Sequence, residues 1–323
     1  MKKLVLFLIF PLLLCSLCAC RRMTGAVNAD PNAPVVLLFA GLDDAAENAD
    51  ALILASFSAK EERVSIMQIP RDTYYAVDFC DKLNGVYAAR RFAGEEEKTA
   101  LSALSGAVSE VLSVPITGTV AFKASALRAA VDALGGVRIE FPEKVTVEDK
   151  TYEKGEHFLM GEEAEAFVRY REGYAMGDLG RIEAQKLFLC ALLRSVRSKS
   201  ELSSLLRLLL SMRGEVITDL STVRALSLGI SLHSQIKALT PVFFTLPGEA
   251  LPRHGRWYFI PNRQSAVALL SEYFPYTGAF DEKQRLFDAS DAAQENIYTE
   301  KNYPYTVYTE EDLSSLHIPI KKQ

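Results

Sequence analysis

The sequence predicts an α/β fold in which a mixed central β-sheet is sandwiched between helices. Three observations carry this. Three short apolar runs of strand length open the body of the chain. Stretches with apolar residues at helical spacing follow them. Strand and helix signals then alternate to about residue 275, the pattern of a sheet with helices on both faces.

The elements run in a clear order. Val35–Ala40, Ala51–Phe57 and Val64–Ile69 are the three opening strands. Their connectors, Gly41–Asp50 and Ser58–Arg63, are too short for a parallel crossover, so the strands are antiparallel neighbours. After Thr73 the pattern becomes helical. Thr99–Leu112 is a helix that stops before Pro115. Gly118–Phe122 is a strand, and Ser125–Leu134 is a helix closed by Gly135 and Gly136. Val137–Phe141 resumes strand. Gly161–Tyr170 is helical and is broken by Gly173 and Gly177. Ile182–Val196 is a strongly apolar helix, and another lies near Leu202–Met212. Phe243–Leu246 and Trp257–Ile260 are late strands, and Ser265–Tyr273 is the last helix. No internal repeat is evident.

The ends differ from this body. Residues 1–20 combine Lys2 and Lys3 with the apolar run Leu4–Ala19 and then Cys20, the pattern of an export signal. That run is shorter than the roughly 20 residues of a spanning helix. Leu17-Cys18-Ala19-Cys20 is similar to a bacterial lipobox, with Cys20 as the lipidated residue. An uncleaved signal anchor flanked by Arg21 and Arg22, or full secretion, are the alternatives. All three put the mature chain outside the cytoplasm, and the first two hold it at the extracytoplasmic face of the cell membrane. Residues 21–33 are small, polar and Pro-containing, a tether. Residues 34–275 form the main domain. Residues 276–323 are acidic, Tyr-rich and weakly patterned, a loosely held tail.

Composition excludes several classes. The 323 residues are 49% hydrophobic and 24% charged, which is globular and not disordered. The net charge of −5 argues against a nucleic-acid binder. His157, His233, His254 and His317 are far apart and no Cys pair has zinc-ligand spacing. There is no G-x-x-x-x-G-K-[ST], G-x-G-x-x-G or G-x-S-x-G pattern, so nucleotide, dinucleotide and serine-hydrolase chemistry lose their usual signals. Cys80 and Cys190, the two cysteines of the body, are expected to be free and buried, although one disulfide between them is permitted.

Two places can carry chemistry. In an up-down-up meander the end of the first strand, the start of the second and the end of the third lie together, so Asp43, Asp50, Arg71 and Asp72 converge. Two carboxylates on neighbouring strand ends can share a hard cation such as Mg²⁺; alternatively they decorate a polar turn. The second place is arginine-rich. Arg169 and Arg171 straddle Tyr170 and face the same way only if that stretch is extended. Asp178 suits a helix N-cap, with Arg181 in the first turn and Gln185 one turn on, on the same face. The backbone N–H groups of such a helix start bind anions; the alternative is a surface arginine paired with Glu183 or Glu172. Lys82, just after the third strand, can add a cation to the same end or remain a solvated loop residue. The run Leu205–Leu210 is read as buried helix.

Taken in order, these motifs are identified with the LytR-CpsA-Psr family. Gly41-Leu42-Asp43, Ala49-Asp50-Ala51-Leu52-Ile53-Leu54 and Ile69-Pro70-Arg71-Asp72-Thr73 resemble its opening motifs. Lys82-Leu83-Asn84 is similar to its Lys-Ile-Asn element, and Leu134-Gly135-Gly136-Val137 to its Leu-Gly-Gly-Val turn. Val168-Arg169-Tyr170-Arg171 and Gly177-Asp178-Leu179-Gly180-Arg181, with Gln185, resemble its arginine-rich signature. The resemblance implies a membrane-attached envelope enzyme that moves a teichoic acid or capsule type glycopolymer from a polyprenyl-pyrophosphate carrier to peptidoglycan as a phosphodiester. It implies that Asp43 and Asp50 are metal-side acids with Mg²⁺ as cofactor. It implies that Arg71, Arg169, Arg171 and Arg181 grip the pyrophosphate, with Lys82, Asp178 and Gln185 completing the pocket. Arg71, Asp50 and Arg169 are then the catalytic candidates, and the lipid tail lies in an apolar tunnel that Ile182–Val196 could line.

The chain also departs from the family pattern. Asp44-Ala45-Ala46 supplies no arginine after the first aspartate, Ala184 stands where an arginine often precedes the final glutamine, and the Asp43–Asp50 connector is short. These departures keep two alternatives open: a protein that holds polyprenyl-pyrophosphate lipid without transferring anything, and a hydrolase of that carrier.

Overall fold

The computed structural model describes residues 34–43, 48–77, 80–141, 143–175, 177–198, 214–221, 223–225, 228, 239–253, 255–278 and 305–316. The leader with Cys20, the tether, Asp44-Ala45-Ala46 and the expected helix near Leu202–Met212 lie outside them. The centre is a six-stranded mixed sheet. Its strands are β1 (Val35–Leu42), β2 (Ala49–Ser58), β3 (Arg63–Ile69), β6 (Gly118–Lys123), β11 (Val216–Thr218) and β12 (Thr240–Thr245), in the spatial order β11-β6-β1-β2-β3-β12. As the short connectors predict, β1, β2 and β3 are antiparallel neighbours, with Val36 opposite Ser56 and Ala55 opposite Ile66. β6 joins β1, and β12 joins β3, in parallel.

Why β1 is an unbroken apolar run is now plain. Val36, Leu38, Ala40 and Leu42 pack into a cluster on one face of the sheet, and Leu37 and Phe39 pack into a second cluster on the other. A strand covered on both faces has no use for alternation. On the first face lie α1 (Gly85–Phe92), α2 (Glu97–Leu112) and α6 (Arg263–Tyr273), which contribute Tyr87, Leu101, Leu104 and Leu269. Each fully buried Leu or Phe contributes about 1.5–3 kcal/mol.

A third cluster joins α3 (Ala124–Leu134), β7 (Val137–Phe141), α4 (Gly161–Arg169) and α5 (Asp178–Ser198). Gly135 and Gly136 close α3 in left-handed conformations, φ 75° and 95°, which supply the stop that the Gly-Gly pair predicts. Ile182–Val196 sits inside α5: Ala184, Leu187, Phe188, Ala191 and Leu192 pack in the third cluster, and Cys190 packs against the second face of the sheet. Cys190 is buried, Cys80 is half-buried, and neither is bonded to the other.

Several elements differ from expectation. The stretch after Thr73 is a hairpin before it is a helix: β4 (Tyr74–Val77) pairs with β5 (Cys80–Lys82). Small hairpins also form from β8 (Val145–Val147) with β9 (Lys150–Tyr152) and from β13 (Gly248–Arg253) with β14 (Arg256–Pro261), and β10 (Gly155–Leu159) pairs with β7. The late strand begins at Thr240, before the expected Phe243.

The C-terminal tail is not uniformly loose. The N–H and C=O of Tyr308 both bond to Phe243 on the edge strand β12 (3.0 and 2.9 Å). Thr309 then caps α7 (Glu310–Ser314), whose Leu313 is buried with Leu316 on the second face of the sheet. Two apolar side chains and a sheet edge that needs partners are enough to hold residues 305–316 in place. Among the described residues no helix is long and apolar enough to cross a membrane.

Candidate functional site

The meander brings its polar ends together. Leu42 is registered opposite Ala49 across a bulge, so Asp43 and Asp50 lie at one end of neighbouring strands. Leu52 is opposite Ile69, so the chain leaving β3 brings Arg71 to that same end. Nη1 of Arg71 donates to Oδ1 of Asp50 at 2.5 Å. Asp178 Oδ1 and Asp72 Oδ2 lie 3.8 and 4.0 Å from the same guanidinium. Asp43 is also a turn residue: its Oδ2 accepts from the N–H and Nδ2 of Asn48 (3.2 and 3.1 Å). The polar-turn reading of that aspartate is the one these bonds describe, and the same residue also borders the cavity described below.

Lys82-Leu83-Asn84 has a backbone role that its residue types do not announce. Asn84 N–H donates to the carbonyl of Arg71 (3.2 Å), and its own carbonyl accepts from Ala49 N–H (3.1 Å). The segment ties the strand end carrying Asp50 to the one carrying Arg71. The Lys82 ammonium pairs with Asp72 at 2.9 Å and does not line the cavity described below.

The helical half answers the question that spacing left open. α4 ends at Arg169, and Tyr170 is extended (φ −61°, ψ 134°), so Arg169 and Arg171 reach the same cavity. Gln185 donates through Nε2 to the Val168 carbonyl at 2.9 Å, and its Oε1 accepts a weak bond from Nε2 of buried Gln68 (3.4 Å). Asp178 is not an N-cap. It is the first residue of α5, Gly177 with φ 55° precedes it, and its carboxylate lies 2.7 Å from Arg181. Gly180 lies against the ring of buried Tyr174; a Cβ there would stand 2.5 Å from that of Tyr174.

These residues surround a cavity of about 320 Å³. Asp43, Asp50 and Arg71 come from the strand ends, and Glu165, Arg169, Arg171, Arg181 and Gln185 from the helical half. Gly41, Leu42, Ala51, Phe122, Ala124, Leu127 and Val168 supply an apolar flank. Four arginines thus face three carboxylates. The first residues of α5 are absent from the lining, so the cavity is not built on the N–H groups of that helix start. Asp178 reaches it only through Arg71 and Arg181. Sequence reasoning missed Glu165, which stands four residues before Arg169 in a helical stretch, the spacing of a helix ion pair.

The two inner arginines differ in their electrostatics. Burial opposes the charge of Arg71, but Asp178, Asp50 and Asp72 outweigh it and hold the guanidinium charged more firmly than usual. Arg181 is 6% exposed, and burial pulls its pKa down; Asp178 opposes this, and the positive charge of Arg71 adds to it. The Nε atoms of both are buried without a hydrogen-bond partner. Arg171 is exposed and forms no ion pair among the described residues. A cavity of this size with four convergent guanidinium groups suits a phosphate-bearing anion.

The chain is similar to several known proteins. The sequence model of the LytR_cpsA_psr family matches residues 19–273. The polyisoprenyl-teichoic acid–peptidoglycan teichoic acid transferase TagU of Bacillus mycoides (strain KBAB4) is 31% identical over 194 residues, covering 58% of this chain and 61% of that protein. Its counterpart TagV of Bacillus subtilis (strain 168) is 27% identical over 263 residues, covering 76% of this chain and 66% of that one. The chain therefore spans about three-fifths to two-thirds of the length of these relatives. A structure of TagT bound to LIIa-WTA superposes with a TM-score of 0.60 at 25% identity, covering 79% of this chain and 94% of that one.

Proposed function

The chain belongs to the LytR-CpsA-Psr family, and on that premise we propose that it transfers a glycopolymer of teichoic acid or capsule type from a polyprenyl-pyrophosphate carrier to peptidoglycan. One observation carries the reading: Arg71, Arg169, Arg171 and Arg181, from separate parts of the chain, line one cavity beside Asp43 and Asp50.

In the proposed reaction the acceptor hydroxyl oxygen attacks the phosphorus nearer the glycan. A new O–P ester bond forms, the P–O–P bridge breaks, and polyprenyl phosphate leaves with the bridging electron pair. Such transfer is mostly positioning and charge stabilisation. The arginines supply both, since their planar forks meet phosphate oxygens bidentately. Arg71 and Arg181 would hold the inner phosphate, with Arg169 and Arg171 at the more exposed side. Asp50, whose Oδ1 is taken by Arg71, has Oδ2 left for the proton of the hydroxyl.

Asp43 and Asp50 also suit Mg²⁺, Asp50 then offering its Oδ2 to the metal before it takes the proton. Among the described residues no cluster of three or more His, Cys, Asp or Glu side chains forms a protein-only cage. Mg²⁺ commonly takes one or two carboxylates and fills its shell with water and substrate phosphate. When bound it would polarise a phosphoryl oxygen. The leader, with lipid on Cys20, would hold the domain at the extracytoplasmic face of the cell membrane; the intact mass of membrane-extracted protein tests this.

Ala184 is the observation that favours a non-transferring lipid binder. The family often has an arginine there, and here the position is buried in an apolar cluster. A purified assay with a lipid-linked donor, a peptidoglycan fragment and Mg²⁺ separates the readings. Transfer is expected, and Arg71→Ala and Arg169→Ala should each lower it at least 100-fold. Unchanged transfer in both variants would overturn the proposal. Phosphate-bearing product released without acceptor would mean hydrolysis, and co-purifying lipid without any product would mean binding alone.

A further inference from the structure

Glu165 is an unexpected residue for the wall of an anion site. Its side chain is 10% exposed, and it borders the cavity from the middle of α4. A buried carboxylate facing an incoming anion is unfavourable unless it is paired. Both of its oxygens are engaged. Oε1 accepts from Arg169 Nη1 at 2.7 Å, and Oε2 accepts from Arg128 Nη1 on α3. Arg128 lies outside the cavity lining and is 42% exposed.

The packing of α3 on α4 does not need this carboxylate. Gly161 N–H donates to Asp132 Oδ1 at 2.8 Å, and Val131, Leu134, Ala164 and Phe167 share one apolar cluster. Nor does the path of the backbone at the end of α4, which Gln185 holds through the Val168 carbonyl. What Glu165 adds is a hydrogen bond that gives the half-exposed Arg169 side chain a direction.

We propose that Glu165 is a positioning residue that aims Arg169 at the pyrophosphate, with Arg128 balancing its second oxygen; this rests on the reading of the cavity as a pyrophosphate site. A guanidinium fixed before the ligand arrives loses less freedom on binding and reaches the transferring phosphate in one geometry. The charge of Glu165 is answered by Arg128, so the carboxylate remains compensated when Arg169 engages an anion.

A double-mutant cycle tests this without relying on turnover. Binding of farnesyl pyrophosphate to the full chain in detergent is measured by calorimetry for wild type, Glu165→Gln, Arg169→Ala and the double variant. Glu165→Gln keeps the size and removes the charge. It should weaken binding roughly five- to tenfold in the wild-type background. In the Arg169→Ala background it should have no weakening effect. The same loss in both backgrounds, or tighter binding by Glu165→Gln alone, would overturn the positioning role while leaving the pyrophosphate reading intact. No binding by wild type would overturn the pyrophosphate reading and this proposal with it. If Glu165→Gln does not fold, the cycle is run with Glu165→Asp, which keeps the charge but is too short to reach both arginines. Failure of both to fold would make Glu165 a structural residue and end the proposal.

Discussion

Two cations are buried on the same helix, five residues apart, and they are buried for opposite reasons. Arg181 is 6% exposed and Lys186 is 1% exposed. Burial pulls both pKa values down, and an acid within the same helical turn opposes the pull, Asp178 for Arg181 and Glu183 for Lys186. Their remaining surroundings diverge. Lys186 is sealed: Glu183 lies at 2.9 Å, and the ring of Tyr308, brought in by the C-terminal segment, lies 4.3 Å from the ammonium. Arg181 borders the cavity, has Arg71 and Arg171 as like-charged neighbours, and keeps a buried Nε with no partner. A cation compensated within the protein is architecture. A cation left short of partners beside an opening is prepared for an anion from outside.

The strongest way to break this comparison is to remove each cation in turn. Arg181→Met should lower transfer by about 10²–10³-fold, the scale for one donor to developing charge. It should also abolish the thermal shift given by inorganic pyrophosphate. In wild type that shift should reach ~2.7 kcal/mol of stabilisation at about 100 times the dissociation constant. The cost to folding should be small, because Asp178 keeps Arg71 at 3.8 Å. A variant that melts far below wild type yet still responds to pyrophosphate would make Arg181 architectural too.

Lys186→Met should do the reverse. It leaves the carboxylate of Glu183 unpaired, and one of its oxygens, Oε2, is already buried without a partner. Removing one member of such a pair costs about 3 kcal/mol. Transfer per folded molecule and the pyrophosphate shift should stay within about twofold of wild type. Loss of the pyrophosphate response with stability intact would contradict the division between the two cations.

The same contrast explains what was legible in the sequence. The strands of the meander, the Gly-Gly stop and α5 could be read because each is fixed by local pattern: an apolar run between polar turns, a left-handed cap, an apolar periodicity. The convergence of Asp43, Asp50 and Arg71 followed from strand order alone. Arg169 and Arg171 could be placed together only if Tyr170 were extended, and φ and ψ there are tertiary facts. Nothing local marks Lys186 as buried, because the ring that covers it arrives from 122 positions downstream (308 − 186). Residues 305–316 looked loose for the same reason: their value lies in an edge strand and two apolar side chains that no nearby residue reveals. Glu165 carried a local signal in its spacing to Arg169, but its second partner on α3 did not. The β4–β5 hairpin is too short for periodicity to register.

A third charge, half-buried, sharpens the comparison with the smallest effect. Asp219, after β11, accepts from Thr119 N–H at 2.7 Å, and the cation that acts on it is the exposed Arg224. Burial raises its pKa above the usual 3.8; hydrogen bonds from Thr119 and from its own backbone, with the charge of Arg224, oppose this without cancelling it. A carboxyl group raised on folding adds stability that is fully present below its unfolded pKa and is lost as pH rises through the folded value. At neutral pH the ionised Asp219 is therefore a net liability to the fold. Asp219→Asn keeps an oxygen for Thr119 and removes the charge, so it should melt slightly above wild type at pH 7. The advantage should shrink as pH falls and vanish below about 3.8, where wild type is protonated as well. Thermal melts of both proteins between pH 3 and 7 would decide it. A variant less stable than wild type at pH 7 would mean that its hydrogen bonds and Arg224 compensate this carboxylate fully. Asp219 would then join Lys186 among the charges the protein satisfies within itself, and Arg181 would stand alone in needing a ligand.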